Sequence, residues 1–167
     1  MQRLILMRHA EAERAAASGR DRDRALSAHG QAEARAIGRS LSARGARPDV
    51  ALISAAVRTR QTWELAHEAL GDADVRVQEP LYNAGAEVLR QAVEDARDDA
   101  GCLIVVAHNP GVHQLAREYL VEASASPAAL DRMAGGFPTA AAALVAVDAS
   151  GRLVFDGFLQ PRDVSAA

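Results

Sequence analysis

The sequence predicts a single α/β domain over residues 1–167, a three-layer α/β/α sandwich whose mostly parallel sheet ends in a C-terminal antiparallel hairpin. Three runs, residues 3–7, 50–54 and 103–107, are apolar on both faces, as are parallel strands that helices cover. Helical patterns lie between these runs, and such an alternation is typical of a layered α/β fold. A length of 167 residues with 49% hydrophobic content suits one well-buried domain rather than two.

Three helices are predicted ahead of the third of these strands. Residues 29–44 carry apolar side chains at helical spacing, and Gly45 ends that helix. Residues 56–70 show the same spacing and stop at Gly71. A third helix is predicted over residues 86–98. We find no internal repeat and no linker, so the pattern supports one continuous domain.

The last third of the chain contains a fourth helix and the hairpin. Asn109 is predicted as the N-cap of this helix, with Pro110 in its first turn. Residues 144–147 and 153–155 are predicted as two strands joined by a tight turn. Residues 122–136 are small, mixed and weakly periodic, so we interpret them as a surface connection.

Composition excludes several classes of function. The net charge of -3 and the acidic pI near 5.9 argue against binding to nucleic acid or to an anionic membrane. The lone Cys102 lies in an apolar run, so we expect a buried thiol and no disulfide framework. The first strand starts within three residues of Met1, which leaves no room for a signal peptide, and no apolar stretch is long enough to span a bilayer. We therefore expect a cytoplasmic protein.

Chemically active side chains follow each of the three buried strands. Arg8 and His9 end the first strand, Ser54 ends the second, and His108 follows the third. Arg58 comes four residues after Ser54, in the first turn of a helix whose positive end favours an anion. Because the carboxyl ends of parallel strands share one edge of a sheet, these side chains should meet there.

Two arginines and two histidines around one point repel one another unless a ligand neutralises them. A dianionic phosphoryl group does so, since the planar guanidinium of arginine donates paired, charge-assisted hydrogen bonds to phosphate. Histidine can attack phosphorus or transfer protons. No carboxylate stands at ligand spacing to either histidine, which disfavours a metal site. The pattern predicts phosphoryl chemistry without a metal or cofactor.

These motifs resemble those of the histidine phosphatase (phosphoglycerate-mutase-like) superfamily. Residues 8–10 are similar to its Arg-His-Gly signature, and residues 54–62 to its Ser-Pro-x-x-Arg-x-x-Gln-Thr element. Residues 108–111 resemble the second core histidine in the form that short bacterial SixA-type phosphohistidine phosphatases use. Residues 26–32 and 137–140 match that subgroup as well, so the resemblance covers nearly the whole chain.

The sequence departs from the family pattern at two motifs. Ala10 stands where glycine is usual, and because alanine is also small we expect little effect. Ala55 and Ala56 stand where the family proline usually falls. The resemblance otherwise implies the phosphoglycerate-mutase-like fold.

The resemblance also implies roles for individual residues. His9 would be the nucleophile, forming a phosphohistidine intermediate that water then hydrolyses. Arg8, Arg58 and His108 would hold the phosphoryl oxygens and their transition-state charge. Further candidates for substrate contact are Glu11, Ser54, Asn83 and Asn109.

Larger family members carry a Leu-x-Glu element whose acid protonates the leaving alcohol, and here residues 81–83 read Leu-Tyr-Asn. The Asn83 amide cannot act as a general acid. An alkoxide leaves poorly without one, whereas a ring nitrogen of a phosphoramidate can leave with a proton already in place. The departure therefore favours protein phosphohistidine as substrate, with Glu11, Glu79, Glu87 or solvent as the other possible proton donors.

Other function classes stay open. A small-molecule phosphatase acting on a sugar or nucleotide phosphate would share the same four core residues. A phosphate-binding module without catalysis, or a mutase, fits the sequence less well. The expected partner is a phosphorylated protein, such as a histidine phosphotransfer domain, or a small phosphorylated metabolite.

Some polar residues have simpler interpretations. Ser54 is predicted as a helix N-cap rather than a nucleophile, because no motif places a base beside it. His29 and His67 are expected on the solvated surface, and His113 in a supporting or surface position. Residues 20–24 alternate arginine and aspartate, which is typical of a solvated loop, with contact to a substrate protein as the alternative.

Overall fold

Six strands form one mixed sheet in the computed structural model, which describes residues 1–164. The strands are β1 Arg3–Arg8, β2 Val50–Ser54, β3 Asp74–Gln78, β4 Cys102–Ala107, β5 Ala142–Val147 and β6 Leu153–Leu159. The helices are α1 Ala28–Ala43, α2 Val57–His67, α3 Ala86–Ala96, α4 Gly111–Glu122 and α5 Pro127–Ala134. The strand order is β3-β2-β4-β1-β5-β6, with β5 antiparallel to both of its neighbours, β1 and β6, and the other neighbours parallel. The predicted fold class is confirmed.

Successive side chains of the central strands point to opposite faces of the sheet and build two cores. On one face, Leu4 and Leu103 pack with α3 and α4. On the other, Ile5 and Ile104 pack with α1 and α2. Because both faces are covered, the central strands are apolar without alternation, which is the pattern that the sequence shows.

Helix α1 is fixed at both ends by its sequence. The Ser27 hydroxyl accepts from the Gly30 amide at 3.0 Å and caps the first turn. A Cβ on Gly30 would stand 2.0 Å from the Glu11 carbonyl oxygen, so only glycine lets the helix approach the segment after β1. Gly45 has a φ of +71° just past the helix end, as predicted for a C-terminal glycine.

Two elements differ from the sequence prediction. Residues 122–136 are not only a surface connection, because they contain α5, which Ser126 caps by accepting from the Ala129 amide at 3.3 Å. Strand β3 was not predicted, since its alternating polar and apolar residues lie at an exposed edge of the sheet.

Two capping predictions are wrong. Ser54 still belongs to β2, and α2 starts three residues later with Ala56 in the capping position. Helix α4 starts at Gly111, and Asn109 does not cap it, because the Asn109 amide donates to the Phe137 carbonyl oxygen at 2.9 Å. Both polar side chains instead contact distant residues, Ser54 with His108 and Asn109 with Phe137.

The strand order determines where the functional side chains meet. Strands β2, β4 and β1 are adjacent and parallel, so residues 54, 108 and 9 come together at one edge. The His9 amide donates to the Ala107 carbonyl oxygen at 3.1 Å, which continues the pairing of β1 with β4 past the end of β1.

Candidate active site

His9 is held in one tautomer by the main chain. Its Nδ1 lies 2.7 Å from the Ala10 carbonyl oxygen. A carbonyl oxygen only accepts, so Nδ1 carries the proton and Nε2 keeps a lone pair. The Arg58 Nε donates toward Nε2 at 3.3 Å, and His9 is only 8% exposed. The lone pair of Nε2 is therefore oriented toward a cationic group.

Arg58 lies in the first turn of α2 and is 3% exposed. Besides its contact with His9, its Nη2 lies 3.3 Å from His108 Nδ1. Its Nη1 donates to the Asp21 carbonyl oxygen at 2.9 Å, and Nη2 donates to Asp21 Oδ2 at 3.1 Å. This single guanidinium connects both histidines.

His108 and Ser54 form the other buried pair of the site. His108 Nε2 lies 2.6 Å from the Ser54 hydroxyl oxygen. Since Arg58 donates to His108 Nδ1, the proton of the neutral ring is on Nε2, which donates to Ser54. The His9 and His108 ring centres are 5.4 Å apart, so both rings adjoin the same small space.

Arg8 approaches the same space from the end of β1. Its Nη1 donates to the Phe137 carbonyl oxygen at 3.1 Å, the oxygen that also accepts from the Asn109 amide. The buried Nε of Arg8 has no hydrogen-bond partner among residues 1–164. Arg8 is thus anchored at one nitrogen and keeps donors for a ligand.

The electrostatics of the site favour neutral histidines beside charged arginines. Burial, with the charges of Arg58 and Arg8, lowers the pKa of His9 to about 4. Burial, together with His9 and Arg58, lowers the pKa of His108 to about 3. Burial and Arg58 also lower the pKa of Arg8. At neutral pH the site therefore offers a neutral imidazole and two guanidinium groups, which suits an anionic, electrophilic ligand.

Two further residues of the site were missed by sequence reasoning. The Tyr82 hydroxyl donates to Asp21 Oδ2 at 2.5 Å, and the Tyr82 ring meets the His108 ring edge-on at 5.5 Å between centres. The hydroxyl of Tyr82, with Arg58 and Arg24, lowers the pKa of Asp21 to about 2, so this carboxylate is ionised. Asp21 belongs to the segment interpreted as a solvated loop, and no local sequence signal marks its contact with Arg58.

The other candidate residues lie outside this hydrogen-bonded cluster. Glu11 accepts from the Ser27 hydroxyl at 2.7 Å, and Glu79 pairs with Arg22 at 2.8 Å. Asn83 and Glu87 are exposed. None of these four side chains hydrogen-bonds to Arg8, His9, Arg58 or His108 within residues 1–164.

The other histidines have ordinary surroundings. His29 is largely exposed and pairs with Glu33 at 3.2 Å, and His67 stacks on Trp63 with ring centres 5.6 Å apart. His113 Nε2 donates to the Met133 carbonyl oxygen at 2.7 Å.

Over residues 1–164 no group of three or more His, Cys, Asp or Glu side chains is arranged to hold a metal ion. Within the same range, no helix combines the length and apolar character needed to cross a membrane.

Comparison with known proteins gives a consistent result. The model of the histidine phosphatase superfamily (branch 1) matches residues 4–85. A solved structure assigned as phosphohistidine phosphatase SixA, from Agrobacterium tumefaciens, is 31% identical, with a TM-score of 0.81 over 96% of this chain and 99% of the other. One with the same assignment from Nakamurella multipartitia is 30% identical, with a TM-score of 0.77 over 96% of each chain.

A third solved structure contains an oxyanion. It is the protein histidine phosphatase SixA complexed with tungstate, 25% identical, with a TM-score of 0.76 over 98% of this chain and 99% of the other. No curated protein sequence matches the chain.

Proposed function

The chain belongs to the histidine phosphatase superfamily, and we propose that it removes the phosphoryl group from protein phosphohistidine, with His9 as the nucleophile. The observation that carries this proposal is the tautomer of His9. Its Nδ1–H is held by the Ala10 carbonyl oxygen at 2.7 Å, which leaves the Nε2 lone pair beside Arg58. A neutral imidazole oriented in this way is a competent nucleophile at neutral pH.

The first step transfers the phosphoryl group to the enzyme. His9 Nε2 attacks phosphorus in line, a new N–P bond forms, and the P–N bond to the substrate imidazole breaks. Arg8 and Arg58 donate to the equatorial oxygens, whose charge is the main target of catalysis in phosphoryl transfer. His108 joins them when a phosphoryl oxygen replaces the Arg58 contact at Nδ1, because the ring proton can then lie on Nδ1 while the Ser54 hydroxyl donates to Nε2. The leaving imidazole departs neutral when its other ring nitrogen already carries a proton.

The second step regenerates the enzyme. Water attacks the phosphorus of phosphorylated His9, the N–P bond breaks, and phosphate leaves with the water oxygen. His9 returns to its neutral tautomer because its Nδ1–H donates to the Ala10 carbonyl oxygen at 2.7 Å. The proton released by the attacking water passes to solvent or to phosphate.

The charges near the cluster favour a phosphoramidate over an alkyl ester. The carboxylate that hydrogen-bonds to the cluster is Asp21, and its pKa of about 2 makes it a poor proton donor at neutral pH. An imidazole leaving group needs no such donor. The similarity along nearly the full chain to proteins assigned as phosphohistidine phosphatases supports the same substrate class.

The proposed substrate is a phosphorylated protein, such as a histidine phosphotransfer domain. We also propose that the enzyme acts in the cytoplasm.

A substrate panel tests this function. The second-order rate constant kcat/KM is measured for a phosphohistidine protein, phosphoramidate, a sugar phosphate and nitrophenyl phosphate, with wild type and His9→Ala, before and after exhaustive chelation. We expect the phosphohistidine protein to rank first, chelation to have little effect, and His9→Ala to be inactive on all four. A sugar phosphate in first place would assign the chain to the small-molecule phosphatases instead.

A further inference from the structure

A cavity of about 710 Å³ adjoins the active site on the side of Arg8. Residues along its wall include Arg8, Asn109, Arg132, Phe137, Gln160 and Arg162. Arg8 and Asn109 are the chain neighbours of His9 and His108, but neither of these histidines lines the cavity. A group bound here would therefore lie beside a phosphoryl group held by Arg8. The volume is in the range of cavities that bind small ligands or side chains.

The cavity carries a local excess of positive charge in a chain whose net charge is -3. The side chain of Arg162 is 73% exposed, and Asp163, its ion-pair partner, lies 3.9 Å away. Asp163 is also bound by Arg132. Three arginines and one carboxylate, Asp131, line the cavity. Arg8 makes no ion pair within residues 1–164 and is assigned to the phosphoryl group, and of the other two arginines Arg162 has the weaker pairing.

Polar groups of the wall are available to a ligand. Gln160 is 4% exposed and lines the cavity, and its carboxamide nitrogen is a donor. The Arg132 guanidinium lies 5.4 Å from the centre of the Phe158 ring and pairs with Asp163. Donors from Gln160, Arg132 and Arg162 together suit a carboxylate, because all three side chains can donate and two are charged.

We propose that this basic cavity, lined by Arg8, Arg132, Gln160 and Arg162, binds an acidic side chain of the protein substrate close in sequence or space to its phosphohistidine. The inference rests on the proposed function and adds a specificity site to it. Arg8 would separate the two anionic groups, with the phosphoryl group on one side and the carboxylate on the other. Arg162 is the specificity residue, since Arg8 holds the phosphoryl group and Arg132 is more closely paired with Asp163.

The test uses phosphohistidine peptides that differ in one residue. A set of peptides carries a single Glu at each position within about four residues of the phosphohistidine, and each is compared with its Gln counterpart. The readout is the ratio of kcat/KM values for the Glu and Gln peptides. Wild type should prefer Glu at one or more positions by about threefold, the scale of a partly exposed ion pair. High salt should reduce that ratio toward one.

Variants then assign the preference to the cavity. Arg162→Gln should reduce the ratio toward one, and the double variant Arg132→Gln/Arg162→Gln should abolish it. Arg152→Gln is the matched control, because Arg152 is an 81% exposed arginine in the β5–β6 turn at the opposite end of the sheet. It should keep the wild-type ratio.

Each failure has a distinct signature. A ratio of one for every peptide pair that wild type hydrolyses overturns the cavity proposal and leaves the proposed function intact. A preference that persists in the double variant also overturns it. If wild type hydrolyses none of the peptides but does hydrolyse sugar phosphates, the proposed function fails, and the cavity proposal fails with it.

Discussion

Asp21 and Arg58 are joined at two points, although 37 residues separate them in the chain. The Asp21 carbonyl oxygen accepts from Arg58 Nη1 at 2.9 Å, and its carboxylate accepts from Nη2 at 3.1 Å. The Tyr82 hydroxyl donates to the same carboxylate at 2.5 Å. Asp21 therefore orients the guanidinium that lies between the two histidines, and it also neutralises part of its charge.

Replacing Asp21 with asparagine should separate these two effects. In Asp21→Asn we expect kcat to fall about tenfold, because a small misorientation of a catalytic group is costly. KM should stay level or fall, because a negative charge that opposes phosphate has been removed. Tyr82→Phe keeps the carboxylate and should lose less activity. Steady-state kinetics on phosphoramidate give both constants, and an unchanged kcat in Asp21→Asn would show that the Asp21 carboxylate does not position Arg58.

Ser54 should act through His108. Removing the hydroxyl in Ser54→Ala leaves the buried Nε2–H of His108 without its acceptor at 2.6 Å. An unpaired buried donor costs about 1–3 kcal/mol, so we expect a loss of stability of that order and a fall in kcat of about tenfold. Denaturant unfolding and kinetics measure the two effects. The control Ser150→Ala, in the exposed β5–β6 turn, should change neither quantity. If Ser54→Ala has the stability and the kcat of wild type, Ser54 does not act through His108.

The sequence predicts the strand ends of this site well, for a physical reason. Runs that are apolar on both faces identify the buried parallel strands, and parallel strands place the residues after them at one edge. His9, Ser54 and His108 were placed together on this basis, and they do lie together. A continuous apolar run is a local property of the sequence, so the sequence alone suffices to identify a buried strand.

Contacts that join distant segments could not be predicted in this way. Asp21 lies in a run of alternating charges that resembles a solvated loop, and nothing near it indicates Arg58. Strand β3 alternates polar and apolar residues at an exposed edge, and α5 is a helix of eight residues rich in alanine. The capping role predicted for Ser54 was wrong because its hydroxyl contacts His108, 54 residues away.

Stability should depend on pH through the two buried histidines. Their pKa values in the folded protein, about 4 for His9 and about 3 for His108, lie below the ordinary value of 6.5. The unfolded chain therefore binds more protons between pH 6.5 and pH 4, and the free energy of unfolding should fall as the pH is lowered through that range. Denaturant titrations at several pH values measure this slope.

The variant His9→Gln/His108→Gln isolates this effect from that of the carboxylates. Its stability should change less between pH 6.5 and pH 4 than that of wild type, because glutamine does not titrate. If the two proteins show the same slope, the histidines are not the groups responsible.

Asn83 tests the preference for a phosphoramidate. A carboxylic acid near the leaving group would lower the barrier for alkyl phosphates, and general acids contribute about 100- to 10,000-fold. Asn83→Glu should therefore raise kcat/KM on an alkyl phosphate, while activity on phosphohistidine stays level or falls. Asn83 has a φ of 51°, so Asn83→Gln is the control for backbone strain without an acid. An equal gain in both variants, or efficient wild-type hydrolysis of alkyl phosphates, would argue against this explanation.

The central claim is that the phosphoryl group passes through His9. The most direct measurement is a rapid quench of the enzyme during turnover of ³²P-labelled phosphoramidate, with the chemical stability of the label bound to the enzyme as the readout. We predict a label that survives alkali and is lost in acid, as expected for phosphohistidine, and that is absent from His9→Ala. Label that survives acid and is lost in alkali, or label that persists in His9→Ala, would contradict the account.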